Sequence, residues 1–225
     1  MTVIESISPN TTVADLAVRY AGASRVLHRH DLDFCCHGHV SMERACADAN
    51  LDANQILREI EAEAPADPNF EAWNEQSLDA LLEHILVNFH EAHRQELPRL
   101  IEMARKVERV HAEKASCPKG LAAHLEFMHE ELEAHMQKEE QVLFPLIKAG
   151  RGSMAQMPVQ VMEQEHRDHG KNLERMRELA QNFEAPDEAC GTWRALFLGV
   201  AELERDLMNH IHLENNILFP RALRS

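Results

Sequence analysis

The sequence predicts an all-α protein, an up-down-up-down four-helix bundle that follows a small N-terminal helical domain. Three observations predict this fold. Four segments after residue 72 carry apolar, His or Glu residues at alternating three- and four-residue spacing, which places each set on one helix face. Short breaker segments separate the four, so successive helices run antiparallel. The 8 glycines and 9 prolines of the 225 residues cluster between segments.

The composition excludes several classes of protein. Lys and Arg number 23 against 38 Asp and Glu, a formal net charge of −15, which argues against binding to nucleic acid or anionic membranes. No apolar run reaches the roughly 18 residues of a membrane span, and the first residues lack a signal-peptide pattern. Five cysteines without regular spacing predict reduced thiols and a cytoplasmic protein.

The predicted N-terminal domain covers residues 1–70. Thr12 is placed to cap a helix from residue 13, and residues 51–63 have helical spacing. The segment HRHDLDFCCHGH, residues 28–39, contains the vicinal pair Cys35 and Cys36. Three roles stay open for these thiols: redox chemistry, metal binding, or an incidental role. The acidic, proline-containing stretch 61–72 predicts the boundary to the second domain, residues 73–225.

The second domain contains the four amphipathic segments. Their stripes cover residues 82–107, 121–146, 159–183 and 193–217, and the predicted breaks are 116–120, 149–158 and 184–191. Near its middle, each apolar stripe is interrupted by His, or by His and Glu. Burying an ionised Glu or an unpaired imidazole costs on the order of several kcal/mol unless another group compensates. The interruptions therefore predict a polar site inside the bundle.

The bundle also contains an internal repeat. The second helix reads HMQKEEQVLFP from His135, and the fourth reads HIHLENNILFP from His210, 75 residues later. The first helix reads HEAHRQEL from His90, and the third reads HRDHGKNL from His166, 76 residues later. The repeated unit is a helical hairpin, with HxxH on one helix and HxxxE followed by LFP on the next.

This repeat predicts a dinuclear metal site. A His and a Glu four residues apart lie on one helix face, so His135 with Glu139 and His210 with Glu214 supply two imidazoles and two carboxylates. One His from each HxxH completes six ligands, and the spacing does not decide which one. Carboxylates and imidazoles inside a bundle hold pairs of iron or manganese ions. Nitrogen and oxygen ligands favour iron over calcium or magnesium, with zinc and manganese still open.

Other acids, histidines and cysteines receive weaker predictions. Glu131 and Glu165 are candidates to orient ligands or to line an iron path, against the alternative of a solvated helix face. His111 lies about 31 Å from His90 along a continuous helix, so we expect it at a helix end or on the surface. An incidental role is expected for Cys46, Cys117 and Cys190, and a structural or solvent role is the default for His84, His93, His124, His129, His169 and His212.

Six blocks of the chain resemble a known family: DLDFCCHGH, HEAHRQELPRL, KVERVHAEK, HEELEAHMQKEEQVLFPLI, VMEQEH and LMNHIHLENNILFPRAL. They resemble the repair-of-iron-centres family of di-iron proteins, of the YtfE, ScdA, DnrN and NorA type. The resemblance covers the whole chain, and the family is similar to hemerythrins in its bundle. One departure follows the Cys pair, where family members commonly have Gly and this chain has His37.

The resemblance implies a hemerythrin-like bundle with a non-heme di-iron centre, two iron ions bridged by oxo and carboxylate groups. It implies a cytoplasmic homodimer that acts on damaged or apo iron–sulfur proteins under nitrosative and oxidative stress, by donating iron or by binding nitric oxide. The ligands that it implies, with both Glu as bridges, are His90, His135, Glu139, His166, His210 and Glu214.

Four functions compete for this site. Iron donation for the repair of iron–sulfur clusters, a non-enzymatic role, is the leading hypothesis. The second is a nitric oxide binder linked to denitrification, which scavenges the gas or, as an enzyme with weak reductase activity, reduces it. The third, an oxygen carrier or sensor, fits less well because each repeat supplies two His and one Glu rather than a His-rich set. The fourth is a metal-free bundle with polar pairs in its core.

Overall fold

The computed structural model describes residues 7–20, 22–63 and 73–224, and the regular structure of these residues is helical. The all-α prediction is confirmed. The described residues form two compact units, one with the chain up to Leu81 and Ile211–Arg221, the other with Leu82–His210 and the last residues. Most of the predicted linker 61–72 lies outside the described residues, and the domain limits at 70 and 73 stay a prediction.

The first unit is built from short helices. Thr12 caps α1, as predicted, because its side chain accepts a hydrogen bond from the Asp15 amide at 3.1 Å. Ser41 caps α3 in the same way, through the Arg44 amide at 3.2 Å. Phe34 is fully buried in the core of this unit. The four helices are α1 (Val13–Arg19), α2 (Ala23–Arg29), α3 (Met42–Asp48) and α4 (Ala53–Glu63).

Four long helical stretches follow, as predicted. The first joins α5 (Leu78–Ile85), a π-helical turn (Leu86–His90) and α6 (Glu91–Val110). The second joins α7 (Leu121–Lys138), a π-helical turn (Glu139–Leu143) and α8 (Phe144–Lys148), and the third is α9 (Gly152–Leu179). The fourth joins α10 (Gly191–Leu213), a π-helical turn (Glu214–Leu218) and α11 (Phe219–Ala222). Among the described residues, no helix is both long and apolar enough to cross a membrane.

The third stretch differs from its prediction at both ends. The predicted break 149–158 is wrong after residue 151, because α9 starts at Gly152 and contains Pro158. Ala155 is fully buried and its neighbours are mostly good helix formers, which offsets the hydrogen bond that proline removes. At the other end the predicted stripe reaches residue 183, but α9 stops at Leu179 and residues 181–183 have positive φ.

Candidate metal centre

Three of the four helical stretches widen where predicted ligands lie. The π-helical turns contain His90, Glu139 and Glu214, and such turns are frequent at functional sites. In the two LFP copies, the Phe144 amide donates to the Glu139 carbonyl, and the Phe219 amide donates to the Glu214 carbonyl. These bonds span five residues instead of four, so the chain at each Glu is wider than an α-helix.

The proline of each LFP explains this widening. Pro145 and Pro220 follow the two phenylalanines and have no N–H to donate. In a regular α-helix, a proline ring also clashes with the carbonyl four residues earlier, and a wider turn relieves that clash. The LFP motif therefore shapes the backbone that presents the carboxylates, which gives the repeat a physical role beyond packing.

The structure brings all six predicted ligands together in the bundle interior. Each of the six is at most 1% exposed, and their ligand atoms form two overlapping groups in which every atom lies within 4.8 Å of the others. Glu139 and Glu214 belong to both groups. The first group is His90, Glu139, His210 and Glu214, and the second is His135, Glu139, His166 and Glu214.

The distances between ligand atoms in each group match those expected around one metal ion. The Nε2 atoms of His90 and His210 are 3.2 Å apart, and those of His135 and His166 are 3.1 Å apart. Two nitrogens bound roughly 2.1 Å from one metal at neighbouring positions lie about 3.0–3.4 Å apart. Glu139 Oε2 is 3.4 Å from the Nε2 atoms of both His90 and His135, one from each pair. The Glu139 carboxylate therefore faces both imidazole pairs, which is the position expected of a ligand shared by two metal ions.

Two carboxylates hold the outer nitrogens of two ligand imidazoles. His90 Nδ1 lies 2.8 Å from Glu140 Oε1, and His135 Nδ1 lies 3.0 Å from Glu165 Oε2. With the proton on Nδ1 donated to a carboxylate, the Nε2 lone pair points into the site. The bond from His135, helped by Lys138, lowers the pKa of Glu165 to about 2, so this carboxylate is ionised at neutral pH.

Glu140 was missed by sequence reasoning. Burial alone raises its pKa, but hydrogen bonds from Arg94 and His90 lower it below its usual value. The only sequence signal was its position directly after Glu139 in HMQKEEQ, where the repeat has Asn215 in the other copy. Of the two acids predicted to orient ligands or line an iron path, Glu165 contacts His135, whereas Glu131 is exposed on the helix surface.

The structure separates the two histidines of each HxxH, which the spacing left open. The ring of His93 packs 5.4 Å from that of His210, and the ring of His169 packs 4.9 Å from that of His135. Neither His93 nor His169 belongs to the ligand groups. Burial lowers the pKa of His169 to about 3, which keeps this imidazole neutral. The second histidine of each HxxH therefore packs against the ring of a candidate ligand.

The remaining candidates do not belong to these two ligand groups. His111 ends α6, as expected, with Nε2 3.3 Å from Cys190 Sγ. His124 Nε2 lies 2.8 Å from the Asn172 carbonyl, a structural contact. Within the first unit, Cys35 and Cys36 lie side by side, with their Sγ atoms 3.6 Å apart.

Two known protein families match parts of this chain. Residues 81–222 match the hemerythrin HHE cation binding domain, and residues 9–64 match a domain of unknown function, DUF542, called ScdA_N. The chain belongs to the hemerythrin HHE family. The predicted hemerythrin-like bundle is thereby confirmed, and a hemerythrin HHE domain with this buried His and Glu set suits a di-iron centre.

Members of the hemerythrin HHE family that match over nearly their full length carry a functional name. The chain is 47% identical over 215 residues to the iron-sulfur cluster repair protein YtfE of Yersinia pseudotuberculosis, covering 96% of this chain and 97% of the relative. It is equally similar, over the same shares, to the protein of that name from Yersinia pestis. The predicted resemblance to the repair-of-iron-centres family is confirmed.

Proposed function

We propose that this protein repairs iron–sulfur clusters damaged by nitrosative and oxidative stress, by supplying iron held in the bundle to damaged or apo iron–sulfur proteins. One observation carries the proposal. Six convergent, buried His and Glu side chains lie in a chain that is 47% identical, over 96% of its length, to an iron-sulfur cluster repair protein. Supply of iron is a non-enzymatic role.

The chemistry of the ligands supports donation. Imidazoles and carboxylates bind several divalent metals, whereas the cysteine thiolates of an apo iron–sulfur protein are the ligands that build iron into a cluster, so such a protein is a chemically suitable acceptor. Bound iron supplies redox and Lewis-acid chemistry at the centre. The chain itself orients the imidazoles and packs aromatic rings against them: Phe89 is stacked on His210 at 5.3 Å, and Phe144 lies 5.6 Å from His90. These rings limit the access of water.

A reactivation assay tests the proposal. Iron-loaded protein is mixed anaerobically with an apo iron–sulfur enzyme, and the rate of recovery is compared with that given by an equal amount of free iron. We expect faster recovery with the protein, and recovery at the free-iron rate with Glu139→Ala. Glu131→Ala, at an exposed position of the same helical stretch, is the matched control. Recovery no faster than with free iron would contradict donation.

Nitric oxide binding is a second candidate at the same site. Six protein ligands, two of them common to both groups, do not fill the coordination shells of two six-coordinate irons, which leaves positions for a small ligand. Anaerobic titration of the reduced, iron-loaded protein with nitric oxide is expected to give an iron–nitrosyl spectrum. No such spectrum at stoichiometric gas would reject this candidate, and nitrous oxide formed with turnover would make the protein an enzyme.

We also propose a cytoplasmic homodimer. All five cysteines lie among the described residues and none forms a disulfide there, which supports a reducing compartment. The dimer is proposed from the family resemblance. Light scattering coupled to gel filtration is expected to give twice the 25.7 kDa chain mass, and a mass of one chain at micromolar concentration would contradict the dimer.

A further inference from the structure

The first unit contains a second cluster of metal-binding side chains, at Asp33, Cys35 and Cys36. Their ligand atoms lie within 4.8 Å of one another. Cys35 Sγ is 3.6 Å from Cys36 Sγ and 3.3 Å from Asp33 Oδ1. Cys35 is 5% exposed, and Asp33 and Cys36 are half-buried, so the cluster is shielded but reachable from solvent.

We propose that Asp33, Cys35 and Cys36 form a second metal site, which binds one thiophilic divalent cation, Fe²⁺ or Zn²⁺, through two thiolates and one carboxylate. The site is separate from the bundle centre and uses different ligand chemistry. With three protein ligands, a tetrahedral cation keeps one position open for a ligand from another molecule. A cation with an open coordination position exchanges with other ligands, unlike the closed coordination of a structural site.

The distances fit tetrahedral coordination. Two sulfurs bound about 2.3 Å from one metal at a tetrahedral angle lie roughly 3.8 Å apart, close to the observed 3.6 Å. A sulfur and an oxygen on the same metal lie about 3.5 Å apart, close to the observed 3.3 Å. A linear two-coordinate site would need the sulfurs roughly 4.6 Å apart, which the cluster does not match.

The carboxylate is held in place before any cation arrives. Asp33 Oδ1 accepts hydrogen bonds from the amides of Cys35 and Cys36, both at 2.9 Å. Asp33 Oδ2 lies 2.8 Å from His37 Nδ1 and accepts the His37 amide at 3.2 Å. A ligand oriented by such outer hydrogen bonds loses little freedom on binding a cation. His37, the residue that departs from the family pattern, therefore has a positioning role here.

The backbone of the thiol segment is fixed by two asparagines in the same unit. Asn215 Nδ2 donates to the Cys35 carbonyl at 3.0 Å, and Asn216 Nδ2 donates to the Phe34 carbonyl at 3.2 Å. These asparagines replace the Glu140 and Gln141 of the first repeat copy. Contact with the thiol segment accounts for this difference between the copies.

A cation at this site takes the place of the proton of the Cys35 thiol. The hydrogen bond with Cys36 and burial raise the pKa of the Cys35 thiol well above its usual value. The Cys35 S–H donates to Asp33 Oδ1 at 3.3 Å, so a cation that replaces this proton meets both ligands at once. Because thiolates are the ligands, binding of the cation releases protons and strengthens as the pH rises.

A disulfide between the two thiols is the competing use of this pair. A disulfide needs its sulfurs about 2.05 Å apart, whereas these lie 3.6 Å apart on a backbone that the asparagines hold. The observed separation is close to that expected for two ligands on one cation. We therefore argue for metal binding, and the disulfide becomes an outcome of the test.

Cobalt(II) is the probe for this site. The full-length, reduced protein is loaded with iron in the bundle and then titrated anaerobically with Co²⁺. We expect thiolate-to-cobalt charge-transfer absorption that saturates at one equivalent, and its loss in the Cys35→Ser/Cys36→Ser variant. Asp33→Asn is expected to weaken binding roughly tenfold or more. Cys46→Ser, at a buried cysteine of the same unit, is the matched control and leaves the titration unchanged.

Alkylation of the native protein gives a second readout that needs no variant. Zn²⁺ and Fe²⁺, added separately, are expected to protect Cys35 and Cys36 from iodoacetamide, while the exposed Cys190 reacts equally in every sample. Zn²⁺ is expected to displace Co²⁺, whereas Fe²⁺, which binds more weakly than Co²⁺ to such ligands, is expected to compete only in excess. Cobalt absorption that survives in the double variant, equal alkylation with and without metal, or a Cys35–Cys36 disulfide that is already present before metal is added and blocks alkylation of both thiols would overturn the proposal. Bundle iron, counted separately, reports on the proposed repair function.

Discussion

At the scale of single residues, the two ring nitrogens of His90 and of His135 have different partners. Glu140 and Glu165 bind the Nδ1 atoms of His90 and His135, and the Nε2 atoms face the other ligands. The convergence of the six candidate ligands could be predicted because the repeat and the family resemblance both point to these residues. The outer carboxylates follow no repeat: Glu140 comes after a ligand and Glu165 comes before one.

The outer carboxylates should control how tightly iron is held. Glu140→Gln and Glu165→Gln are each expected to weaken iron binding roughly 10–100-fold, because the amide no longer fixes the imidazole as an ionised carboxylate does. Iron retention during dialysis against a chelator measures this. Glu131→Gln is the control, since Glu131 is exposed and outside the ligand groups. Equal retention in all three variants would refute the orienting role.

At the scale of helices, periodicity predicted the four stretches but not their local shape. A three-four pattern contains no signal for a π-helical turn. The wider turn at Glu139–Leu143 shifts the buried stripe by one residue, so that Leu143 is buried whereas Val142, on the predicted stripe, is exposed. The break at 149–158 was predicted from Gly and Pro alone, and the burial of Ala155 that overrides them depends on tertiary packing. Element ends are therefore the least predictable part of this fold.

Gly199 of α10 packs closely against Leu100 of α6. A Cβ at Gly199 would lie 2.6 Å from Cδ2 of the buried Leu100. We expect Gly199→Ala to lower the free energy of unfolding by about 1–3 kcal/mol, although Ala is ordinarily the better helix former. Denaturant unfolding measures this. Gly191→Ala is the control, because a Cβ there meets nothing within 4 Å, and equal stability of the two variants would contradict this account.

A buried ion pair joins α9 and α10. Arg177 Nε donates to Glu204 Oε1 at 3.0 Å, and a second hydrogen bond joins the same groups, while Glu204 is 3% exposed. Arg177→Met is expected to destabilise by about 3 kcal/mol, because it leaves the buried carboxylate without this cation. Arg177→Met/Glu204→Met should recover most of the loss in urea unfolding. A double variant as unstable as the single one would contradict the pairing.

At the scale of the whole molecule, the bundle buries an unusual amount of polarity. Four ligand imidazoles and two carboxylates occupy its interior, each at most 1% exposed. An apolar core of this size would be more stable alone, so the polar set indicates that a cation compensates for the burial. The fold class and the convergence of the six candidate ligands were predictable from sequence, whereas the contact of Asp33 with the two cysteines is seen only in the structure.

Iron should therefore stabilise the folded chain. At free iron about 100-fold above its dissociation constant, a single site that binds only the native state adds about 2.7 kcal/mol. We expect removal of iron to lower the melting temperature, and re-addition to restore it. Calorimetry of the two forms measures the shift, with His135→Ala as a variant in which iron should have little effect. The same melting temperature with and without iron would contradict this prediction.

The central claim is that six side chains of this bundle hold two irons. Anaerobic purification followed by metal counting and a spectrum of the oxidised protein tests it most directly. We predict two irons per chain with oxo-to-iron charge-transfer bands, and loss of both features in Glu139→Ala, because Glu139 belongs to both ligand groups. Fewer than one iron per chain in the unaltered protein, or full iron content in Glu139→Ala, would contradict it.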